Sequence, residues 1–221
     1  MDGNKFRNWL KLSDKKTLVM GILNVTPDSF SDGGKYFNLE QAISHALYME
    51  DAGADIIDVG GESTRPGSES VSLEEELTRI QPVVEGIRKK SNITISVDTY
   101  KSKIAKTILS NGADFINDIS GMSFDSEMIK IAKEFEAPIV IMHIQGTPQN
   151  MQKNPVYTNL VKDIIDYFSV QTQKAIDFGI KPKNIIIDPG IGFGKNLNDN
   201  FILLNRLSEF SVLGFPILIG P

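Results

Sequence analysis

Short apolar runs rich in Ile and Val alternate with longer amphipathic stretches along the whole chain. The predicted strands are 18–25, 55–60, 93–98, 115–119, 138–143, 185–188 and 216–220. The predicted helices are 39–52, 73–90, 101–111, 126–136, 157–179 and 198–209. Because the strand segments are continuously apolar, both faces of each strand are expected to be covered. Strict alternation of strand and helix then predicts an α/β fold with parallel strands and right-handed crossovers.

Two architectures share this order, an open doubly wound sheet and a (β/α)8 barrel. No G-x-G-x-x-G motif opens a helix after the first strand, which counts against a dinucleotide-binding open sheet. We therefore predict a TIM-type (β/α)8 barrel over residues 17–221, preceded by an N-terminal arm, residues 1–16. The predicted barrel is incomplete here, with about seven strands and without its last βα unit.

The chain ends at Pro221, within the predicted seventh strand. A closed barrel needs a further helix and an eighth unit, without which its first and seventh strands would be unpaired edges. We expect a truncated form of a longer barrel. The alternative is a fold that closes in another way.

Composition excludes several kinds of site. The absence of cysteine rules out disulfides, zinc–thiolate sites and iron–sulfur clusters, and only two histidines are present. A metal would then be a hard cation on oxygen ligands, which favours Mg²⁺. The formal net charge of −5 gives no reason to expect nucleic acid or an anionic membrane as a partner. With neither a signal peptide nor a membrane-spanning apolar run, we expect a cytoplasmic protein.

Nearly every predicted strand runs into polar residues at its C-terminal end. In a parallel barrel these ends share one face, where active sites are found, and burying such groups unpaired is costly. One Asp or Asn after a strand is commonly an Asx turn or an N-cap, which we expect for Asp118. Two acids and two amides together indicate a flat heterocycle rich in N–H donors, because carboxylates accept paired hydrogen bonds from an amino-pyrimidinone edge. These four residues are Asn24, Asp98, Asn117 and Asp188.

Two loops combine Gly, Pro and hydroxyl side chains, TPDSFSDGG at 26–34 and ESTRPGSES at 62–70. Together they are typical of mobile lids that close over a substrate, although either alone could be a solvated turn. The segment PGIGFGK at 189–195 lacks the Walker spacing and is interpreted as a Gly-rich wall against which a flat ligand packs. His143 is interpreted as a core histidine in preference to a catalytic one.

The same stretches resemble a known family. GILNVTPDSFSDGG at 21–34 and DVGGESTRPG at 58–67 strongly resemble the two signature stretches of dihydropteroate synthases. The match continues in order with SVDTYK (96–101), INDISG (116–121), MHIQGTPQNMQ (142–152) and IDPGIGFGK (187–195). The resemblance implies a Mg²⁺-dependent barrel enzyme, commonly a homodimer and a target of sulfonamides. Its reaction joins 6-hydroxymethyl-7,8-dihydropterin diphosphate to 4-aminobenzoate and gives 7,8-dihydropteroate and pyrophosphate in folate biosynthesis.

The resemblance also implies a role for each matching residue. Asn24 would hold Mg²⁺ and the diphosphate. The residues that would hold or pack against the pterin are Asp98, Asn117, Met142, Asp188 and Phe193. The residues that would close the site or wall the aminobenzoate pocket are Thr64, Arg65, Phe30 and Pro66. Asp98 and Asp188 would stabilise a cationic pterin methylene, and Mg²⁺ would neutralise the departing pyrophosphate.

The sequence departs from the family pattern at its end. The family's seventh strand is followed by a Ser-Arg-Lys segment, whereas here FPILIGP at 215–221 ends the chain. The resemblance therefore implies membership of the family but not catalytic competence of this chain by itself. Two alternatives stay open: a non-catalytic pterin-binding fragment, and a pterin-dependent methyltransferase of the same barrel type. The DSFSDGG and STRPG segments count against the methyltransferase.

Overall fold

The computed structural model describes residues 1–26, 35–65, 67–68 and 70–220. They form two compact units. The first consists of Met1–Ser63 and Ser70–Asn117, and the second of Thr64–Glu69 and Asp118–Pro221.

The first unit is built from parallel strands alternating with helices. Its elements are α1 (Gly3–Trp9), β1 (Met20–Asn24), α2 (Lys35–Asp51), β2 (Ile56–Gly60), α3 (Leu73–Arg88), β3 (Thr94–Asp98), α4 (Ser102–Ser110) and β4 (Phe115–Asp118), whose last residue belongs to the second unit. The strands pair in sequence order, β1 with β2, β2 with β3 and β3 with β4, all in parallel. This order is the one that short helical crossovers impose on neighbouring strands.

Local sequence explains where these elements lie. β2 is buried at every position, as its apolar composition predicts. α3 begins where Ser72 Oγ accepts a hydrogen bond from the Glu75 backbone N–H at 3.1 Å, and three Glu residues occupy its first turn, where the helix dipole favours acids. The predicted N-terminal arm contains α1, whose buried Phe6 stacks on Phe115 with the ring centroids 4.8 Å apart.

The second unit continues the same pattern. Its elements are α5 (Met128–Glu134), β5 (Ile139–Met142), α6 (Leu160–Phe178), β6 (Ile185–Asp188) and α7 (Leu197–Asn205), with 3₁₀ helices at Pro182–Asn184 and Leu207–Leu213. β5 and β6 pair in parallel and every residue of both is buried. α6 ends at Gly179, whose φ of 110° is the left-handed conformation that glycine adopts without strain.

The first six predicted strands are confirmed, but the seventh is not a regular strand. Residues 216–220 make one parallel bridge, between Ile187 and Ile217. Ile187 N–H donates to Pro216 O at 3.0 Å and Leu218 N–H donates to Ile187 O at 2.9 Å. Proline has no N–H to donate, which limits the pairing that this segment can make. No helix within the described ranges is long and apolar enough to cross a membrane.

Candidate active site

The C-terminal ends of the first four strands lie level with one another in the first unit. In the pairing register Asn24 lies opposite Gly60, Gly60 opposite Asp98, and Asp98 opposite Asn117. Asn24 is exposed, Asp98 is half-buried and Asn117 is buried. A Cβ atom on Gly60 would lie 3.1 Å from Asp98 Oδ2, so the Asp98 carboxylate packs against the backbone of β2. Three of the predicted site residues therefore belong to one polar row.

A buried carboxylate orients the amide of Asn117. Asp58, two residues before the end of β2, is 4% exposed, and its Oδ2 accepts a hydrogen bond from Asn117 Nδ2 at 3.0 Å. Its other oxygen accepts a hydrogen bond from the Ser96 hydroxyl. Burial raises the pKa of Asp58, while the bonds from Ser96 and Asn117 oppose that rise. Because Nδ2 of Asn117 donates to Asp58, Oδ1 of Asn117 is the atom suited to accept from a ligand.

Asp58 was not among the predicted ligand residues. It stands 59 positions before Asn117 in the chain, so only the fold brings the two together. The one signal in the sequence is an acidic residue inside an otherwise apolar strand. A buried acid of this kind must find a hydrogen-bonding partner.

Asp118 makes the turn that its position predicts. Its Oδ1 accepts hydrogen bonds from the Ser120 N–H at 2.8 Å and from the Ser120 hydroxyl at 2.7 Å, and its Oδ2 accepts from the Met122 N–H at 2.8 Å. Burial raises the pKa of this carboxyl to about 6, against the effect of these hydrogen bonds. Asp118 therefore stabilises the turn that follows β4.

In the second unit Met142 and Asp188 lie opposite each other at the ends of β5 and β6. Both are buried, and Asp188 Oδ1 accepts a hydrogen bond from the Gly190 N–H at 2.7 Å. A Cβ atom on Gly190 would lie only 2.1 Å from the His143 carbonyl oxygen. The two loops therefore pack backbone to backbone, and Phe193 on the second of them is half-buried.

A buried lysine joins these same two loops. Lys195, 2% exposed, has its Nζ 3.0 Å from His143 Nδ1, 3.2 Å from His143 O and 2.9 Å from Phe193 O. Burial lowers the pKa of Lys195 to about 7. Burial first, and then the charge of Lys195, lowers the pKa of His143 to about 3, so this imidazole is neutral near pH 7. The arrangement agrees with the interpretation of His143 as a core histidine, whereas Lys195 was not singled out from the sequence.

The remaining predicted residues lie on the two loops interpreted as lids. Thr64 is half-buried and Arg65 is exposed in the second unit, where the Gly67 N–H donates to Pro148 O at 3.0 Å. Phe30 and Pro66 lie outside the described residues. Most of the first loop, residues 27–34, does so too.

The side chains that the structure describes can be compared with the ligands that the predicted Mg²⁺ would need. No group of three or more acidic or histidine side chains that could hold a metal occurs in the part of the chain that the structure describes. Mg²⁺ keeps several waters and commonly uses one or two protein oxygens together with substrate phosphates. Asn24 is exposed at the end of β1, and its amide oxygen is a ligand of the kind that this mode of binding uses.

Comparison with known proteins agrees with the motifs. The family model for pterin binding enzymes matches residues 20–221. A dihydropteroate synthase from Synechocystis sp. is 49% identical over 207 residues, covering 94% of this chain and 72% of that protein. Yersinia pestis dihydropteroate synthase with a sulfonamide drug complex gives a TM-score of 0.87 at 45% identity, covering 93% of this chain and 74% of the other. Xanthomonas albilineans dihydropteroate synthase with 4-aminobenzoic acid gives 0.87 at 38% identity, with coverages of 93% and 72%.

These solved relatives are TIM barrels, so the predicted α/β class and TIM-type barrel are confirmed. The family model spans most of the chain, and the identities extend over nearly all of it. The chain therefore belongs to the pterin-binding enzyme family and, within that family, to the dihydropteroate synthases.

Proposed function

We propose that this chain acts as a dihydropteroate synthase, a transferase that condenses 6-hydroxymethyl-7,8-dihydropterin diphosphate with 4-aminobenzoate to give 7,8-dihydropteroate and pyrophosphate. The observation that carries the proposal is the level row of Asn24, Asp98 and Asn117 at the ends of parallel strands, in a member of this family. Relatives bound to a sulfonamide and to 4-aminobenzoic acid support this choice of second substrate.

We assign pterin recognition to hydrogen-bond acceptors at the strand ends. The pyrimidinone edge of a dihydropterin presents adjacent N–H donors, which carboxylate and amide oxygens accept. In the first unit Asn117 Oδ1 and the Asp98 carboxylate supply such acceptors. The family resemblance assigns further pterin contacts to Asp188, Met142 and Phe193.

The chemistry proposed is a displacement at the pterin methylene carbon. The C–O bond to the diphosphate breaks and pyrophosphate leaves with the electron pair, while the aminobenzoate nitrogen forms the new C–N bond and then loses a proton. Negative charge stabilises the positive charge that develops on the methylene, and the family resemblance assigns this role to Asp98 and Asp188. Neither residue forms a covalent bond to the substrate.

Asn24 is the residue that we assign to the metal and the diphosphate. When bound, Mg²⁺ supplies Lewis-acid stabilisation of the leaving pyrophosphate. Its requirement is tested by calorimetry, with the diphosphate substrate titrated in the presence of Mg²⁺ and in the presence of a chelator. Weaker binding with the chelator is expected, and Asn24→Ala should abolish the difference between the two titrations.

Further assignments come from the family resemblance. Thr64 and Arg65, with Phe30 and Pro66, are assigned to the closure and the walls of the aminobenzoate pocket. A homodimer and a cytoplasmic location remain predictions. Sedimentation equilibrium measures the first.

One experiment separates the candidate functions. The chain is titrated with the dihydropterin diphosphate and then incubated with both substrates and Mg²⁺, and pyrophosphate and dihydropteroate are quantified. Binding followed by release of both products is expected. Binding without turnover would identify the non-catalytic pterin-binding protein instead, and absence of binding would refute both. A requirement for a corrinoid partner would point to the methyltransferase.

A further inference from the structure

Both ends of the 63–70 loop are fastened by one carboxylate. Glu62, which directly precedes the loop, is 7% exposed, and its Oε2 accepts a hydrogen bond from the Val71 N–H at 3.1 Å. The same oxygen lies 2.6 Å from Lys101 Nζ, which also donates to Val71 O at 2.7 Å. Lys101 thus contacts the residue that precedes the loop and the residue that follows it.

Lys101 has a third partner at the start of α3. Its Nζ lies 2.6 Å from Oε2 of Glu76, which is 1% exposed. Glu62, Glu76 and the Val71 carbonyl therefore use the three donors of the ammonium group. Burial alone would lower the pKa of Lys101, but the two carboxylates outweigh it and raise that pKa, so the cation is retained.

The residues between Asp98 and Lys101 complete the cluster. The Thr99 hydroxyl donates to Glu76 Oε1 at 2.8 Å, and the Tyr100 hydroxyl donates to Glu62 Oε1 at 2.7 Å. All four carboxylate oxygens of the two acids are therefore hydrogen-bonded. The segment that leaves β3 directly after Asp98 is bound through the cluster to both ends of the loop.

An ion cluster of this kind is a poor device for stability alone, because desolvation of buried charges offsets much of their attraction. Its directional bonds instead define one geometry, which apolar contacts would specify less sharply. The geometry defined here relates the end of β3 to the ends of the loop that carries Thr64 and Arg65. We therefore propose that Glu62 and Lys101 are positioning residues, which hold together the residues on either side of the 63–70 loop for binding of the aminobenzoate part of the substrate. The role in aminobenzoate binding rests on the proposed function.

The tether itself is tested without any substrate. Glu62→Gln preserves the shape of the side chain but replaces one acceptor oxygen by a donor. Amide hydrogen exchange, followed by NMR, is compared between the wild type, this variant and Glu74→Gln, an exposed acid in the first turn of α3. We expect at least about tenfold faster exchange at Val71 in Glu62→Gln, corresponding to the loss of about 1.4 kcal/mol of protection. Unchanged exchange at Val71 would overturn the proposal.

The functional part is tested by two ligands that differ in the aminobenzoate moiety. Glu62→Gln should weaken binding of 7,8-dihydropteroate about tenfold, because the lost positioning costs about as much free energy as one charged hydrogen bond. Binding of 6-hydroxymethyl-7,8-dihydropterin, which lacks the aminobenzoate moiety, should stay within about twofold of the wild type. A purely structural role would weaken both ligands equally, and that result would overturn the proposal. The double variant Lys101→Met with Glu76→Gln removes one positive and one negative charge from the cluster. It should also weaken binding of 7,8-dihydropteroate more than binding of the dihydropterin. If the wild type binds neither ligand, the proposed function fails, while exchange at Val71 still decides the tether.

Discussion

Nδ2 of Asn117 lies 3.0 Å from Oδ2 of Asp58, in a buried pair that spans β2 and β4. The contact decides which end of the Asn117 amide is available to a ligand. A carboxylate accepts but does not donate, so the amide must turn its NH₂ group towards Asp58 and its oxygen away. We propose that this orientation contributes to selectivity for a donor-rich heterocycle.

Replacing Asp58 should therefore weaken pterin binding through its effect on the orientation of Asn117. In Asp58→Asn the charge-assisted bond is lost and the orientation of Asn117 is no longer fixed, which we expect to cost about 1.5–3 kcal/mol, or at least a tenfold loss of affinity. Calorimetry with a dihydropterin measures the effect. Asp166→Asn, an exposed residue on α6, is the control. An affinity equal to that of the wild type would show that Asp58 does not orient Asn117.

Asp98→Asn tests the electrostatic part of the mechanism. The variant keeps a hydrogen-bond acceptor at the end of β3 but removes its charge, so we expect kcat to fall by about 10²-fold or more, as for loss of a preorganised electrostatic group. Pyrophosphate release at saturating substrates provides the measurement, with the exposed Asp51→Asn as the control. If kcat stayed the same, Asp98 would have no part in the chemical step.

Alanine substitutions at two glycines of one loop test how closely that loop packs in the second unit. Gly190 and Gly192 both have positive φ, 70° and 83°. A Cβ atom would meet the His143 carbonyl oxygen at Gly190 but would have no neighbour within 4 Å at Gly192. Gly192→Ala should cost about 1–2 kcal/mol of unfolding free energy for the backbone conformation. Gly190→Ala should cost about 1–3 kcal/mol more for the overlap. Urea denaturation measures both, and equal losses would contradict the close approach of these loops.

Lys195 should make the stability of the protein depend on pH. Its pKa, about 7 in the folded protein because of burial, lies below its ordinary value of 10.5. Between these values the unfolded chain binds more protons than the folded one, so the free energy of unfolding rises with pH. The stabilising contribution is complete above pH 10.5 and is lost as the pH falls through 7.

Lys195→Met should abolish this dependence. The unfolding free energy of the wild type minus that of the variant is expected to increase from pH 7 to pH 10, measured by urea denaturation at each pH. Lys174→Met, at an exposed position on α6, should leave the slope of the wild type intact. A difference that does not change over this range would mean that Lys195 is not desolvated.

The sequence by itself determined the order of the elements and the positions of the ligand candidates. Continuous apolar runs such as IVIM at 139–142 can be satisfied only where both faces are covered, and such local patterns fix strands without knowledge of their neighbours. Asn24, Asp98 and Asn117 could be placed at strand ends because a parallel topology puts those ends at one edge. The seventh strand was predicted wrongly, because the length of a strand depends on the partners that pair with it.

Only the tertiary structure decided which buried groups meet. Asp58 and Asn117, Glu62 and Lys101, and His143 and Lys195 come from separate segments, and each pair is defined by distances of 3.0 Å or less. Hydrogen bonds and ion pairs have short range and strict geometry, so they depend on coordinates that no local pattern encodes. Hydrophobic periodicity thus specified the helices and strands. The need to satisfy buried polar groups specified which of their side chains form hydrogen bonds and ion pairs with one another.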